Sequence, residues 1–341
     1  MTSKAKVLLV GCGGVGTIAA LNLELGGLAT VDAVLRSNFQ AVSAGGFTIT
    51  STDHGKIVGW RPTRILRSVP NIQQDNLEPY DFIVVTTKNI PDVTPTVLDI
   101  VGPAISLGHT VIVLIQNGLN IEKPFLGAFP QNVVLSGISI IGSHETDLGV
   151  IEHDGHDSLE IGPFRNPNLD HSVQETAAKR FISIYNAAGK STCTYDPKVG
   201  RGRWRKLVYN ACLNPICAIT GLDTGRLRLA EDTVETLVRP AMGEIMAAAK
   251  AAGETLPENI AETMITLDPL QMYYSPSMLE DVRKGNFIEY ENIIGEPVRA
   301  GKELGVPMPT LSIVFSMCKA IQWRNKQRRG LIDIPPREAA S

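Results

Sequence analysis

Two groups of residues in this chain have the types and spacing to do chemistry. Gly11-Cys12-Gly13-Gly14-Val15-Gly16 has the G-x-G-x-x-G spacing and directly follows a short apolar run, Val7-Leu8-Leu9-Val10. Where a strand turns into a helix, Gly11 allows the tight turn, Gly13 the close approach of a pyrophosphate, and Gly16 the packing of helix on strand. The bare N–H groups and the helix dipole then face the anion. The second group is Lys206, Asn210 and Asn214, which recur at every fourth position and so share one slowly drifting helical face. An amine and two amides set among Leu207, Val208 and Leu213 make a poor packing surface and a good pocket wall. A solvated polar stripe is the competing account. Pro215, which lacks a backbone donor, is expected to bend that helix.

The elements that must position these groups differ between the two halves. Residues 7–10, 31–35, 82–85 and 111–115 are continuous apolar runs of strand length, and residues 14–25 read as a helix. Strands apolar on both faces and alternating with helices predict a doubly wound α/β domain. Residues 47–50 and 57–60 read as a hairpin turned by Asp53-His54-Gly55, and further strands are expected over 133–141 and 150–161. From Pro197 the period becomes helical almost to the end. The expected organisation is a Rossmann-type domain over 1–196, an all-helical domain over 197–329 and a tail over 330–341, with the boundary at Tyr195-Asp196-Pro197.

On such a sheet, ligands bind beyond the carboxyl ends of the strands. The end of the second strand, where an NAD site usually carries Asp or Glu, holds Arg36. A guanidinium suits a 2'-phosphate, so NADPH/NADP+ is favoured, against the plainer account of Arg36 as a solvated arginine. Asp32, the only acid nearby, sits at the wrong end of the strand. Thr86-Thr87-Lys88 and Gln116-Asn117-Gly118 end two further strands. Lys88 is placed to meet a cofactor phosphate or the substrate, and Asn117 to hydrogen-bond near the nicotinamide, unless both are ordinary loop residues.

Composition narrows the class. Over 341 residues, 32 basic and 35 acidic side chains leave a formal charge of -3, with 43% hydrophobic and 20% charged residues, which is ordinary globular usage. A disordered chain and a nucleic-acid coat are disfavoured. Cys12, Cys193, Cys212, Cys217 and Cys318 are odd in number and form no C-x-x-C pair, so a reducing compartment is expected. Met1 to Lys6 are read as leaving no room for a signal peptide and no apolar run is long enough to span a membrane, so a cytoplasmic location is expected.

Taken together, the fingerprint at Gly11, Arg36, Thr87-Lys88, Gln116-Asn117-Gly118, Lys206-Leu207-Val208-Tyr209-Asn210, Asn214-Pro215, Ser277-Met278-Leu279-Glu280-Asp281 and Glu289 resemble the ketopantoate reductase (2-dehydropantoate 2-reductase) family over nearly the whole chain. The resemblance implies a Rossmann domain followed by a helical domain and NADPH-dependent reduction of a 2-oxo acid, 2-dehydropantoate first, as in pantothenate biosynthesis. It implies Lys206 as the catalytic acid, Glu289 as a second catalytic group, and Asn210, Asn214, Ser277 and Asn117 on the substrate, Ser277 at its carboxylate. A homodimer is compatible with it; neither a nucleic-acid nor a membrane partner is expected.

The chain departs from that pattern in places. Glu280 replaces a glutamine, Glu289-Tyr290-Glu291-Asn292-Ile293-Ile294-Gly295 lacks the usual aspartate and asparagine, and Thr224 stands before Gly225 where asparagine is common. A reductase of a different, bulkier or non-carboxylate ketone therefore stays open, as does a dinucleotide-binding sensor without catalysis. Ser277 with Glu280 also has the spacing of a capping box. His153-Asp154-Gly155-His156-Asp157 is expected to be a hairpin tip, with no metal, and Trp323 to Arg329 a basic helix end.

Overall fold

The computed structural model describes residues 3–335, which divide into two compact units, one of residues 3–117 and 121–202, the other of residues 118–120 and 203–335. The first unit carries strands β1 (Ala5–Val10), β2 (Ala29–Val34), β3 (Phe47–Ser51), β4 (Gly55–Trp60), β5 (Arg64–Leu66), β6 (Phe82–Val85), β7 (Val111–Leu114), β8 (Val134–Ile140), β9 (Ser143–Asp147), β10 (Val150–His153), β11 (Ser158–Pro163) and β12 (Thr192–Tyr195). Helices α1 (Gly14–Leu25), α2 (Phe39–Gly45), α3 (Val97–Val101), α4 (Lys123–Ala128) and α5 (His171–Tyr185) accompany them.

Eight strands form one sheet in the order β12-β11-β8-β7-β6-β1-β2-β5, and every neighbouring pair is parallel except β8 with β11. The chain leaves β1 for β2 on one side and resumes with β6 on the other, so the topological switch lies between β1 and β6. Alternate residues of β1 explain the unbroken apolar run: Val7 and Leu9 enter the core formed with α1 and α5, while Leu8 and Val10 enter the core formed with Val97 and Val101.

A second sheet, β4-β3-β10-β9, was only half expected. The β3–β4 hairpin is there, but the strand expected over 150–161 is two strands in different sheets, β10 and β11. The intervening residues are neither a hairpin tip nor a metal cluster. Asp157 accepts from Asn22 Nδ2 and Tyr185 Oη, each at 2.7 Å, while His153 Nδ1 lies 2.8 Å from Ser51 Oγ and His156 Nδ1 2.8 Å from Asp53. These side chains tie β10 and the residues after it to the β3–β4 hairpin and to α1 and α5, and no group of His, Cys, Asp or Glu among the described residues is arranged to hold a metal ion.

The second unit is helical: α6 (Val199–Asn210), α7 (Leu213–Thr220), α8 (Thr224–Leu229), α9 (Arg239–Ala251), α10 (Ile260–Ile265), α11 (Ser277–Arg283), α12 (Glu296–Glu303) and α13 (Pro309–Arg328). Its core gathers Trp204, Leu207, Leu213, Met242, Ile294 and Leu311. Two π-turns, Val234–Val238 and Glu291–Gly295, each run into a helix whose second residue is proline, Pro240 or Pro297. A proline cannot donate to the carbonyl four residues back and its ring crowds that group, and the widened turn relieves both problems.

The units part at Gly202/Arg203, six residues beyond the expected boundary at Asp196/Pro197. The first turn of α6 belongs with the first unit, since a Cβ on Gly202 would sit 2.6 Å from the Ile138 side chain. Residues 118–120 belong with the helical unit because Leu119 is buried in its core and donates its N–H to the Asn292 carbonyl at 2.8 Å. Of the expected tail, residues 336–341 lie outside the described residues; Leu331 N–H still bonds back to the Lys326 carbonyl.

Candidate active site

The glycine loop sits where the switch point requires it, between β1 and α1. Gly11 has φ +107°, and a Cβ there would lie 2.6 Å from the Thr87 nitrogen. A Cβ on Gly16 would overlap the Gly11 carbonyl, and one on Gly14 would overlap the Ser143 carbonyl. Gly13 differs: a Cβ added to it meets no atom within 4 Å, so its bareness serves no packing purpose inside the protein. It is also the N-cap of α1, with no side chain capping the helix and no acid in its first turn, which leaves the N-terminal N–H groups to an anion. Cys12 is buried and burial pushes its thiol up, with Glu145 adding to the shift, so it is a packing residue of the loop.

Arg36 is exposed just beyond β2. Asp32 is engaged elsewhere, with Arg64 at 2.5 Å and Tyr80 Oη at 2.7 Å. A second guanidinium escaped the sequence reading: Arg67, beyond β5 on the neighbouring strand, lies 4.2 Å over the centre of the Phe39 ring. Asn38 was missed too. It is buried and donates to the Cys12 carbonyl at 2.7 Å and to Glu145 at 2.8 Å, bracing the glycine loop from the segment that carries Arg36. Lys88 and Asn117 follow β6 and β7, and Gln116 donates to the Thr87 carbonyl at 2.6 Å, joining these two strand ends.

In the helical unit, Lys206, Asn210 and Asn214 do not lie on one continuous helix as expected. The helix breaks at Ala211-Cys212 and restarts as α7, because Pro215 offers no N–H to the Ala211 carbonyl. Lys206 and Asn210 remain one turn apart on α6. The Lys206 side chain is part-exposed, yet the surroundings are dense enough that burial, with the positive Arg203 and Arg205 adding to it, lowers its pKa to about 8; Glu289 opposes the shift. Glu289 is itself buried, directly ahead of the π-turn at Glu291–Gly295.

Asn214 reaches α11 instead. Its Oδ1 accepts the Met278 N–H at 2.9 Å, and its Nδ2 lies 3.4 Å from Ser277 Oγ. The capping box, the competing account of Ser277 and Glu280, is not formed: the N-cap is Pro276, Ser277 is the first helical residue with an exposed side chain, and Glu280 pairs with Arg283 at 2.9 Å. At the departures from the family pattern, Thr224 is buried with its hydroxyl 3.3 Å from the Tyr274 carbonyl, and Ile294 is fully buried in the helical core. Arg203 also went unread by sequence. It is only 5% exposed, one turn before Lys206, and donates to the Gly118 carbonyl at 3.0 Å. Its only signal was three arginines and a lysine around one tryptophan.

A sheet that offers bare backbone N–H groups at its switch point, in a chain whose other unit keeps an amine with a lowered pKa, defines a dinucleotide-dependent oxidoreductase. A family model described as ketopantoate reductase PanE/ApbA matches residues 7–166, and its C-terminal counterpart matches residues 198–322. The chain belongs to the ketopantoate reductase family, whose members are NADP-dependent oxidoreductases acting on a CH–OH/C=O group; this enzyme class replaces the sensor reading. It is 38% identical to an uncharacterized protein of Saccharomyces cerevisiae, over 98% of each chain. Among solved structures, 2-dehydropantoate 2-reductase from Methylococcus capsulatus is 31% identical with a TM-score of 0.77, covering 94% of this chain and 97% of that one. D-mandelate dehydrogenase, solved with NADH and anilino(oxo)acetate, shares the fold at 20% identity and a TM-score of 0.78, covering 94% of this chain and 99% of the other. No helix among the described residues is long and apolar enough to cross a membrane.

Proposed function

We propose that this protein reduces 2-dehydropantoate to pantoate with NADPH, with Lys206 as the proton donor. The observation that carries the reading is the lowered pKa of Lys206, about 8, on the helix that also carries Asn210. An ordinary lysine, at about 10.4, is a weak acid at neutral pH, and one nearer the working pH is a better donor.

The residues present fit a dinucleotide. Gly13 leaves room for the pyrophosphate at the uncapped start of α1, and Arg36, with Arg67 close by in the fold, suits a 2'-phosphate. Lys88 would hold a further phosphate and Asn117 the nicotinamide side. When bound, the cofactor supplies hydride to the ketone carbon. Lys206 Nζ gives its proton to the ketone oxygen as negative charge grows there, and Glu289 orients the ammonium or the substrate hydroxyl. Ser277 Oγ, steered by Asn214, donates to the substrate carboxylate, and Asn210 fixes the rest of the substrate. Reduction needs Lys206 protonated, so turnover falls as pH rises through about 8. The cytoplasm, pantothenate biosynthesis and a homodimer go with the same reading.

A second reading, a reductase of another 2-oxo acid or a bulkier ketone, is favoured by two replaced amides. Thr224 spends its hydroxyl on the Tyr274 carbonyl, and Ile294 is core. NADPH oxidation with a panel of ketones separates the two. The highest kcat/KM should fall to 2-dehydropantoate; an aryl 2-oxo acid or a neutral ketone in first place moves the assignment to the second reading.

A further inference from the structure

We infer that Arg203, one helical turn before Lys206 on α6, is a positioning residue for that lysine: its buried guanidinium, held by the Gly118 carbonyl, fixes a positive charge beside the amine. The inference rests on the assignment of Lys206 as proton donor. Its geometry lies wholly within the helical unit. Residues three apart on a helix are surface neighbours, about 5–6 Å between their Cβ atoms, so the side chains of Arg203 and Lys206 leave α6 side by side.

Two observations separate Arg203 from an ordinary surface arginine. It is 5% exposed, whereas most arginines keep their heads in water. It also donates to a backbone carbonyl 85 residues away at 3.0 Å, which holds its head in place. The backbone that receives it is built to be held: Gly118 has φ +105°, and a Cβ there would lie 2.6 Å from the Asn292 side chain. Leu119 exchanges hydrogen bonds with Asn292, N–H to carbonyl at 2.8 Å and carbonyl from Nδ2 at 2.9 Å. Thus the segment directly after Asn117 is clamped by one side chain three residues before Lys206 and by another three residues after Glu289.

The charged groups acting on Lys206 are Arg203 and Arg205 from its own helix and Glu289 from the segment ahead of the π-turn. Glu289 favours the protonated amine and the arginines disfavour it. Arg203 thus sets a positive charge against Glu289. Removing it leaves Glu289 less opposed, and the lysine becomes a weaker acid.

The test uses the full-length enzyme and reads Lys206 directly. Lysines are labelled by reductive ¹³C-methylation and the Lys206 signal, assigned with Lys206→Ala, is titrated in wild type, Arg203→Met and Arg203→Lys. Arg203→Met should raise the midpoint by roughly one pH unit, and Arg203→Lys, which keeps a cation, by much less. The pH at which NADPH-driven reduction declines should move upward with it. An unchanged midpoint in Arg203→Met, or equal shifts in both variants, would overturn the inference. Should Lys206→Ala keep wild-type turnover, the donor assignment fails instead, while the titration still decides whether Arg203 sets the lysine's proton affinity. Melting curves identify a variant that has not folded, and Arg203→Gln then takes the place of Arg203→Met.

Discussion

The glycine loop and the lysine helix solve opposite problems. In the first unit, what must be presented is backbone, and the chain presents it by deleting side chains: Gly11, Gly14 and Gly16 have no space for a Cβ, and Gly13 has space that nothing fills. In the second unit, what must be presented is one ionisable side chain with an unusual proton affinity, made by what surrounds it: burial, Arg203 and Arg205 against Glu289. A backbone site is written in six consecutive residues, whereas a tuned side chain is written across the whole unit.

That contrast can be broken first at the lysine. Lys206→Ala should lower kcat by about 10²- to 10⁴-fold, the usual contribution of one positioned general acid, while NADPH binding measured by fluorescence titration stays near wild type. A normal kcat with a raised KM would make Lys206 a binding residue and erase the difference between the units.

Next comes the charge proposed to read the cofactor. Arg36→Ala should weaken NADPH by roughly 10- to 100-fold, the value of a charge-assisted hydrogen bond, and leave NADH almost untouched. If the wild-type enzyme prefers NADH, the guanidinium at the end of β2 is a solvated arginine.

The glycines sharpen the comparison further. Gly16→Ala should cost about 1–3 kcal/mol of stability in denaturant unfolding, since its Cβ has to displace the Gly11 carbonyl. Gly13→Ala meets no protein atom and should melt like wild type, but bind NADPH more weakly. Equal stability losses in both variants would mean that Gly13 is bare for the fold and not for a ligand.

The smallest effect belongs to Glu280. Its carboxylate pairs with Arg283 in a half-exposed geometry, so Glu280→Gln should change stability by less than about 1 kcal/mol and kcat/KM for a 2-oxo acid less than about twofold. A large gain on anionic substrates would show that this carboxylate faces the substrate.

Much of the first unit was legible because its signals are local. An unbroken apolar run marks β1, whose alternate residues enter two cores, and the loop glycines and Arg36 are placed by counting along one βαβ unit. Reading failed where one segment serves two partners. Residues 150–161 look like a single strand, but β10 pairs with β3 in one sheet and β11 with β8 in the other. Ser277 and Glu280 have capping-box spacing, but Asn214 holds the start of α11 and Arg283 takes the glutamate.

By itself, then, the sequence determined the class of each unit, the glycine loop between β1 and α1 and the lysine proposed as donor, since apolar runs, helix period and glycine geometry are decided within a few neighbouring residues. Only the tertiary structure decided what that lysine is worth as an acid, because proton affinity depends on burial and on charges brought close by folding, such as Glu289, 83 positions along the chain from Lys206. It also decided which polar residues are tools and which are struts: Asp32 is absorbed by Arg64 and Tyr80, and Asn214 by the first turn of α11. A hydrogen bond is assigned by distance in space, and distance along the chain does not fix it.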